Sequence, residues 1–330
     1  MDGLVIVAPN WLGDAVMALP AIADVSTAGS RASVAVAARA SVAPLFSLVP
    51  GIAEVVTLPK GSSWPLAAFD GAILLPNSFH SAMAVARAGV RERWGYRTDW
   101  RGVLLTRAID RPRTPVHQID YYRHLVASLG YANGSPAPRL EIAAGIRASA
   151  RTLLQRAGWD GAAPLVAIAP GAAFGPAKRW PPARFADLAA GLAEDGLRTV
   201  VVGAAADRAA AAEVRHELRG RTTLIDVVGQ TDIPALAGVL SNCRAVMAND
   251  SGALHLAAAL GVNVVAAFGP TDERLNGPRA LSSDARVPSR EPRATILTHD
   301  TWCRPCWLRV CPLDHACMRG ISAEDARKGL

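Results

Sequence analysis

Short runs of apolar residues alternate along the chain with alanine-rich segments of helical periodicity. The apolar runs are continuous, which is typical of parallel strands covered on both faces. The pattern predicts strands near 4–8, 33–38, 53–57 and 71–75, and again near 165–169, 198–203, 223–228, 244–248 and 263–267. It predicts helices near 13–27, 78–88, 115–129, 146–157, 182–194, 206–218, 232–241, 252–260 and 322–329.

This alternation of strand and helix occurs twice, and both halves begin with a similar apolar strand that ends in proline, at Pro9 and Pro170. Repeated β-α-β units with right-handed crossovers predict an α/β protein with two Rossmann-like, doubly wound parallel-sheet domains facing a cleft. Open α/β sheets bind their ligands in such crevices. We expect domains at 1–158 and 159–295, followed by a cysteine-rich tail and terminal helix at 296–330.

The composition agrees with this organisation. The chain has 330 residues, 51% of them hydrophobic and 19% charged, which suits two packed domains and excludes wholesale disorder. The N-terminus lacks a signal-peptide pattern and no run of about 18 apolar residues occurs, so we expect a cytoplasmic protein. The net charge of +7 suits an anionic substrate, a membrane surface or nucleic acid, and does not choose among them.

The segment Asn249–His255 lies between a predicted strand and a predicted helix. A helix that begins at Ser251-Gly252 leaves unpaired amides at its positive end, which is suited to an anion, and His255 can add a donor. The alternative is that Asp250 or Ser251 only caps the helix and that His255 is an interior histidine.

Two further loops occupy the corresponding positions after the first strand of each half. Lys178, in the loop Pro170–Trp180, offers a compact ammonium for phosphate charge, unless it is simply a solvated loop lysine. Asp14 begins the first long helix and could either cap it or accept a proton from a hydroxyl.

A basic stretch from Arg87 to Arg113 contains eight arginines interleaved with Trp94, Tyr96 and Trp100. Arginine beside aromatic rings suits phosphorylated sugars, lipid headgroups or single-stranded nucleic acid, and a solvated surface is the alternative. The sequence has no Gly-x-Gly-x-x-Gly after a predicted strand and no P-loop, which disfavours an NAD enzyme and a P-loop NTPase. It also has no Asp-x-Asp pair at a strand end to hold a divalent metal between phosphates.

Taken together, these segments resemble glycosyltransferase family 9, the lipopolysaccharide heptosyltransferases. The motifs that carry the resemblance are Pro9-Asn10-Trp11-Leu12-Gly13-Asp14, Leu75-Pro76-Asn77-Ser78-Phe79, Pro170 through Pro181, Asn249-Asp250-Ser251-Gly252 with His255, and Phe268-Gly269-Pro270-Thr271. They occur in order over about residues 1–300. The resemblance implies a GT-B fold in which the first domain holds the acceptor and the second holds ADP-heptose.

The resemblance also implies residue roles. Asp14 matches the family's general base and Lys178 its phosphate-binding lysine. The implied donor-binding residues are Gly171, Lys178, Asp250, Ser251, Gly252, Ala253 and His255, and the implied acceptor-binding residues are Asn10, Asn77, Ser78, His80 and Arg97. His80 stands where some relatives have a lysine, so a basic contact at that position requires a protonated imidazole.

The implied reaction is a single inverting displacement that requires no metal. An acceptor hydroxyl attacks the anomeric carbon of ADP-L-glycero-D-manno-heptose while Asp14 removes its proton, and Lys178, His255 and helix amides stabilise the leaving ADP. The implied acceptor is the lipid A-linked inner core, heptosyl-Kdo-lipid A, at the cytoplasmic face of the inner membrane. Nucleic acid is not expected as a partner, because no RRM, KH or OB signature accompanies the basic stretch.

Two alternatives to this activity remain at the level of sequence. The first is a sister member of the family with a different acceptor position or sugar donor. The second is a non-catalytic nucleotide-binding module, which would need no aligned carboxylate.

Four of the five cysteines lie close together in the tail, at Cys303, Cys306, Cys311 and Cys317. A Cys-x-x-Cys pair is half of a usual zinc site, and four thiolates could close a tetrahedron, so the sequence favours a structural zinc ion. Reduced packed thiols, a reversible disulfide and an iron–sulfur cluster are the alternatives.

Overall fold

The structure is a computed structural model that describes residues 3–28, 34–132, 134–138, 140–279 and 294–330. The chain divides into two compact units, of which the first ends at Glu141 and the second begins at Ile142. Each unit contains one six-stranded sheet in which every paired strand is parallel. The predicted α/β class with two doubly wound parallel sheets is therefore confirmed.

The first unit has the sheet order β3-β2-β1-β4-β5-β6. Its elements are β1 (Leu4–Val7), α1 (Leu12–Ala28), β2 (Val34–Arg39), β3 (Glu54–Leu58), β4 (Gly71–Leu74), α2 (Phe79–Arg87), β5 (Glu92–Tyr96), β6 (Arg107–Ile109) and α3 (Gln118–Ser128). Residue 33, the predicted start of the second strand, lies outside the described residues. The central strands are fully buried because helices cover both faces, as their continuous apolar sequences predict.

A buried ion pair connects α1 to α3 in the first unit. Arg123 Nε lies 3.1 Å from Asp24 Oδ2, and the other oxygen of Asp24 accepts from the Gly134 amide at 2.6 Å. The Asp24 side chain is only 2% exposed, and both of its oxygens are hydrogen-bonded, which offsets the cost of burying the charge.

The second unit has the order β12-β11-β10-β7-β8-β9, which is the same topology as the first when its strands are counted from β7. Its elements are α4 (Ala144–Arg156), β7 (Leu165–Ala169), α5 (Pro182–Glu194), β8 (Arg198–Val201), α6 (Arg208–Leu218), β9 (Leu224–Asp226), α7 (Ile233–Ser241), β10 (Cys243–Asn249), α8 (Gly252–Ala259), β11 (Asn263–Phe268), α9 (Glu273–Asn276), β12 (Ala294–Thr298), α10 (Ala316–Arg319) and α11 (Ala323–Gly329).

The boundary between the units lies earlier than the expected position between 158 and 159. Helix α4 belongs to the second unit because its buried face packs on α7. Gly238 of α7 approaches α4 so closely that a Cβ there would lie 2.9 Å from the Ile146 carbonyl oxygen. The two units therefore meet just before α4, at Glu141 and Ile142.

The tail at 296–330 is part of the second unit. Strand β12 pairs in parallel with β11, and α11 packs on α5. Cys317, Met318, Ile321 and Ala326 belong to the same buried core as the central strands of that sheet. Within the described residues, no helix is both long enough and apolar enough to cross a lipid bilayer.

Candidate active site

The strand order places the predicted site residues where each sheet reverses its direction of winding. This point lies between β1 and β4 in the first unit and between β7 and β10 in the second. Open α/β sheets bind ligands outside the carboxyl ends of strands at such points. The residues that follow these strands are Asn10 and Asp14 after β1, Asn77, Ser78 and His80 after β4, Gly171 and Lys178 after β7, and Asp250, Ser251, Gly252, Ala253 and His255 after β10.

Lys178 and Asp250 form a buried ion pair across 72 residues of sequence. Lys178 Nζ donates to Asp250 Oδ2 at 2.5 Å, and the two side chains are 12% and 7% exposed. The hydroxyl of Thr271, which follows β11, donates to the same carboxylate oxygen at 2.7 Å. His255 Nε2 lies 3.8 Å from the other oxygen. The structure thus joins two segments that the sequence identified separately, and it adds Thr271 to them.

These neighbours keep Asp250 ionised. Burial alone would raise its pKa, but the adjacent His255 and Lys178 side chains favour the carboxylate more strongly, and they lower the pKa of Asp250 to about 2. A carboxylate repels a phosphate, so Asp250 is suited to holding the Lys178 ammonium and not to contacting an anion itself. An ammonium has three N–H donors, and Lys178 therefore keeps donors beyond the one given to Asp250.

Asn249 fixes the loop that carries Lys178 to the end of β10. Its fully buried side chain donates from Nδ2 to the carbonyls of Pro170 and Gly171 at 2.9 and 3.2 Å, and accepts from the Trp180 amide at 2.9 Å. The absence of a side chain at Gly171 leaves room for Asp207, because a Cβ there would lie 2.0 Å from Asp207 Oδ1 and displace that side chain. Sequence reasoning placed Asn249 in its motif without a role, because its partners are distant in sequence.

The N-terminus of α8 has the features of an anion-binding turn. Ser251 occupies the N-cap position without making a side-chain cap, so the capping alternative fails for this hydroxyl. Its buried Oγ has no hydrogen-bond partner among the described residues. The amides of Gly252 and Ala253 belong to the first turn, where helices have no internal acceptors. This end of α8 therefore has first-turn amides without acceptors in the helix, next to a buried hydroxyl that no described residue bonds.

Asp14 is the third residue of α1 and lies inside the helix rather than at its N-cap. Its side chain is half-buried near Tyr122, whose pKa is raised well above its usual value by burial and further by the charge of Asp14. The positive end of the helix favours the carboxylate form. Asn10 and Trp11, between β1 and α1, are both exposed, with Trp11 at 54%.

The residues after β4 are partly engaged within the first unit. Asn77 Nδ2 donates to the Tyr121 hydroxyl at 3.0 Å, and Ser78 caps α2 by accepting from the Ser81 amide at 3.2 Å. His80 Nε2 lies 3.2 Å from the Gly61 carbonyl oxygen. These contacts position the three predicted acceptor residues, and only part of their hydrogen-bonding capacity is left for a ligand.

The basic stretch is less solvent-facing than its sequence indicates, since it contains β5 and β6. Arg93 and Arg107 donate to backbone carbonyls, and Arg97 pairs with Asp110 at 3.4 Å on the surface. Arg101 is fully buried and donates to the carbonyls of Pro76, after β4, and Tyr96, at the end of β5, and burial lowers its pKa to about 10. Several of these arginines therefore hold the first unit together.

The four cysteines of the tail line one cavity of about 350 Å³, together with His315. Burial and the neighbouring thiols raise the pKa of Cys317, and the buried His315 Nε2 has no partner within the part of the chain that the structure describes. All five cysteines are free thiols. The described residues contain no group of three or more His, Cys, Asp or Glu side chains placed to hold a metal ion. The fifth thiol, Cys243, is buried in β10, and burial raises its pKa to about 12.

A family model described as glycosyltransferase family 9 (heptosyltransferase) matches residues 66–317. The chain belongs to glycosyltransferase family 9. It is therefore a glycosyltransferase, and the matched range contains every predicted donor-binding residue, while Asn10 and Asp14 precede it.

Two relatives and two solved structures illustrate the family similarity. Lipopolysaccharide heptosyltransferase 2 of Escherichia coli strain K12 is 30% identical over 308 residues, which cover 86% of this chain and 87% of the relative. The enzyme of the same name from Salmonella typhimurium strain LT2 is 30% identical over 305 residues, with the same coverage. The structure of E. coli ADP-heptose LPS heptosyltransferase II has a TM-score of 0.80 at 24% identity and covers 99% of this chain and 97% of its own.

An E. coli heptosyltransferase solved with ADP has a TM-score of 0.72 at 18% identity and covers 98% of both chains. At these identities the structural likeness shows the fold alone. It confirms the expected GT-B type of fold, with two Rossmann-like units.

Proposed function

We propose that the chain is an inverting, metal-independent heptosyltransferase that transfers a heptose from ADP-L-glycero-D-manno-heptose to the heptosyl-Kdo-lipid A inner core of lipopolysaccharide. The observation that carries the proposal is the anion site of the second unit. There the Lys178 ammonium is held by Asp250, whose carboxylate also accepts from Thr271, and the Ser251 hydroxyl at the N-terminus of α8 has no partner within the described residues. The relatives named heptosyltransferase 2 support the choice of donor and acceptor.

The second unit stabilises the leaving group in this mechanism. As the glycosidic bond of the donor breaks, negative charge develops on ADP, and Lys178 together with the first amides of α8 stabilises it. Because these donors are fixed before the reaction by Asp250 and Asn249, little reorganisation accompanies the charge transfer.

The first unit supplies the base. Asp14 accepts the proton of the acceptor hydroxyl as that oxygen attacks the anomeric carbon, and the configuration at that carbon inverts in the single displacement. Asn10, Asn77, Ser78, His80 and Arg97 bind the acceptor in this proposal. The partners at this site are an ADP-sugar and an anionic glycolipid, and nucleic acid is not one of them.

Acceptor-dependent release of ADP tests the activity. ADP-heptose is incubated with a truncated inner-core acceptor, without acceptor, and with ADP-glucose as the control donor. We expect rapid ADP release only with ADP-heptose and acceptor together, unchanged by EDTA, and a product whose anomeric configuration is inverted by NMR. ADP binding without acceptor-dependent release would indicate a nucleotide-binding module, and transfer only to other acceptors or from other donors would indicate a sister transferase.

We also propose peripheral contact with the cytoplasmic face of the inner membrane, where the lipid-linked acceptor lies. Two large apolar side chains, Trp100 and Val103, are 93% and 88% exposed in a segment that also contains exposed arginines. Aromatic and cationic side chains together suit the interface of an anionic bilayer. Sedimentation with vesicles rich in phosphatidylglycerol should be reduced by W100A, whereas binding to neutral vesicles of equal strength would contradict the charge argument.

A structural zinc ion at the cysteine cluster remains a proposal. Four thiols and an unpartnered histidine nitrogen line one cavity in the described part of the chain, and these are ligand types that zinc accepts. Since no set of these described side chains has metal-ligand geometry, binding would have to draw the thiols together. Metal analysis of protein purified without chelator decides the matter. About one zinc per chain supports the site, and less than about 0.2 with five titratable thiols contradicts it.

A further inference from the structure

The segment from Cys303 to Cys317, which we call the strap, contacts the loop that carries Lys178. Arg309 Nε donates to the Phe174 carbonyl at 2.7 Å, and the Arg309 carbonyl accepts from the Ala177 amide at 3.0 Å. These two hydrogen bonds bracket the residues immediately before Lys178. The backbone of this loop is therefore held by a residue more than a hundred positions away in sequence.

The close approach of the strap explains the glycine in this loop. Gly175 has a φ of 156°, and a Cβ at that position would lie 2.4 Å from the Arg309 carbonyl oxygen. A side chain there would push the strap away and break the hydrogen bond to Ala177. The backbones of the loop and the strap are thus in direct contact, and only a residue without a side chain fits between them.

Phe174 connects Arg309 to the lysine itself. The Lys178 ammonium lies 4.7 Å from the centroid of the Phe174 ring, and the Arg309 guanidinium carbon lies 5.6 Å from the same centroid. Both cations are within the range at which a ring face attracts them. Arg309 therefore fixes the backbone and the ring of Phe174, and the ring supports the ammonium that pairs with Asp250.

The strap also holds the second partner of Asp250. The Pro270 carbonyl accepts from the amides of Cys306 and Trp307 at 3.0 and 2.8 Å. Pro270 immediately precedes Thr271, whose hydroxyl donates to Asp250. Both loops that present donors to the Asp250 carboxylate are therefore anchored to the same segment.

We infer that Arg309 is a positioning residue of the anion site, which holds Lys178 in place for the diphosphate of a nucleoside diphosphate through Phe174. This inference rests on the proposed function, because it takes the ligand of Lys178 to be the ADP part of the donor. It gives the strap a role in binding the donor, independent of whether its cysteines hold a metal.

A double-mutant cycle with ADP as the probe tests the inference. Calorimetric titration of the full chain compares the unmodified protein, R309A, K178M and the double variant. We expect R309A to weaken ADP binding by about tenfold in the unmodified background and by less than about twofold in the K178M background, because coupled residues are not additive. Equal losses in both backgrounds, or no loss in either, would overturn the inference.

Three controls separate this role from a general effect on folding. R327A removes another arginine of the same tail, one that pairs with Asp195 at 2.6 Å and lies outside the strap, and should leave ADP affinity unchanged. Adenosine, which lacks the diphosphate, should bind R309A and the unmodified chain alike, and an equal loss for adenosine would overturn the inference. If R309A does not fold, R309K is used in the same cycle, with the same outcomes deciding.

ADP binding by the unmodified chain separates a failure of the proposed function from a failure of the inference about Arg309. Failure of the unmodified chain to bind ADP would defeat both the proposed function and this inference. Normal ADP binding that R309A leaves intact would defeat the inference alone.

Discussion

The two units have the same strand order, yet the loops at their reversal points are built differently. In the second unit, Lys178, Asp250 and Thr271 form a buried, charged and hydrogen-bonded group, and Asn249 fixes it to the sheet. In the first unit, the loop after β1 presents the exposed side chains of Asn10 and Trp11, and the half-buried carboxylate of Asp14 follows it. In the loop after β4, the Ser78 hydroxyl caps α2. The comparison shows that topology gives each unit a place for a ligand, while the side chains decide which ligand it suits.

The buried arginine of the first unit sharpens this contrast. Arg101 donates to the carbonyl of Pro76, after β4, and to that of Tyr96, the last residue of β5, while its Nη2 has no hydrogen-bond partner among the described residues. In the second unit the buried cation is paired with a carboxylate and keeps donors for a ligand. The two buried cations therefore differ in their partners, which are backbone carbonyls in the first unit and a carboxylate in the second.

The largest effect that we predict comes from the first unit. D14N should lower turnover by about 100-fold or more, the scale of a lost general base, with ADP affinity and melting temperature nearly unchanged. Steady-state rates and calorimetric titration measure the two quantities. E54Q, which alters an exposed carboxylate of β3 in the same unit, is the control. Turnover within a few-fold of the unmodified enzyme would remove Asp14 from the mechanism.

The next effect is expected in the second unit and differs in kind. K178M should weaken ADP binding by about tenfold and slow transfer as well, because charge on the leaving group is larger in the transition state than in the ground state. The exposed Lys60 provides the matched control K60M. A loss of turnover without a loss of ADP affinity would make Lys178 resemble Asp14 and would break the division between the units.

Acid should weaken the second unit through Asp250. Its folded pKa of about 2 lies below the value near 3.9 of an unfolded aspartate, so its contribution is complete above about pH 4 and is lost as the pH falls towards 2. The contribution amounts to about 2–3 kcal/mol. Urea unfolding between pH 5 and pH 2.5 should show a shallower pH dependence for D250N than for the unmodified chain. Parallel curves would contradict the assignment.

The smallest effect separates two buried threonines of the second unit. T271V removes a hydroxyl that donates to a buried carboxylate and should cost about 1–2 kcal/mol of unfolding free energy, with ADP bound about threefold more weakly. T199V removes a buried hydroxyl that has no hydrogen-bond partner among the described residues, and should change either quantity little. Equal effects of the two substitutions would show that Asp250 does not depend on Thr271.

Much of the fold followed from the sequence because apolar runs and helix periodicity are local signals. The strand predicted at 165–169 and the helix predicted at 182–194 agree with β7 and α5 residue for residue. Strands β5 and β6 were missed, since arginines and polar residues in the basic stretch interrupt the continuous apolar pattern expected of strands in a parallel sheet. Strand β12 was missed because its place in the sheet depends on β11 and not on its own sequence.

The site was identified by its loops but not by its pairings. Lys178 and Asp250 were both candidates, yet no local pattern pairs two residues that lie 72 positions apart. Thr271, Asn249 and Arg309 act through partners that only the folded sheet brings near them, so no local pattern could assign them. The roles of Asp14 and of the acceptor residues stay predictions.

The bonds made by Asn249 have a consequence for how the second unit folds. They join residues separated by 69 and 79 positions, so the Lys178 loop cannot be ordered before β10 has joined β7. Long-range closure of this kind is slow, because the chain loses conformational entropy before the stabilising contacts form. We therefore expect ADP to bind only after the rate-limiting step of folding, and so to slow unfolding without accelerating refolding.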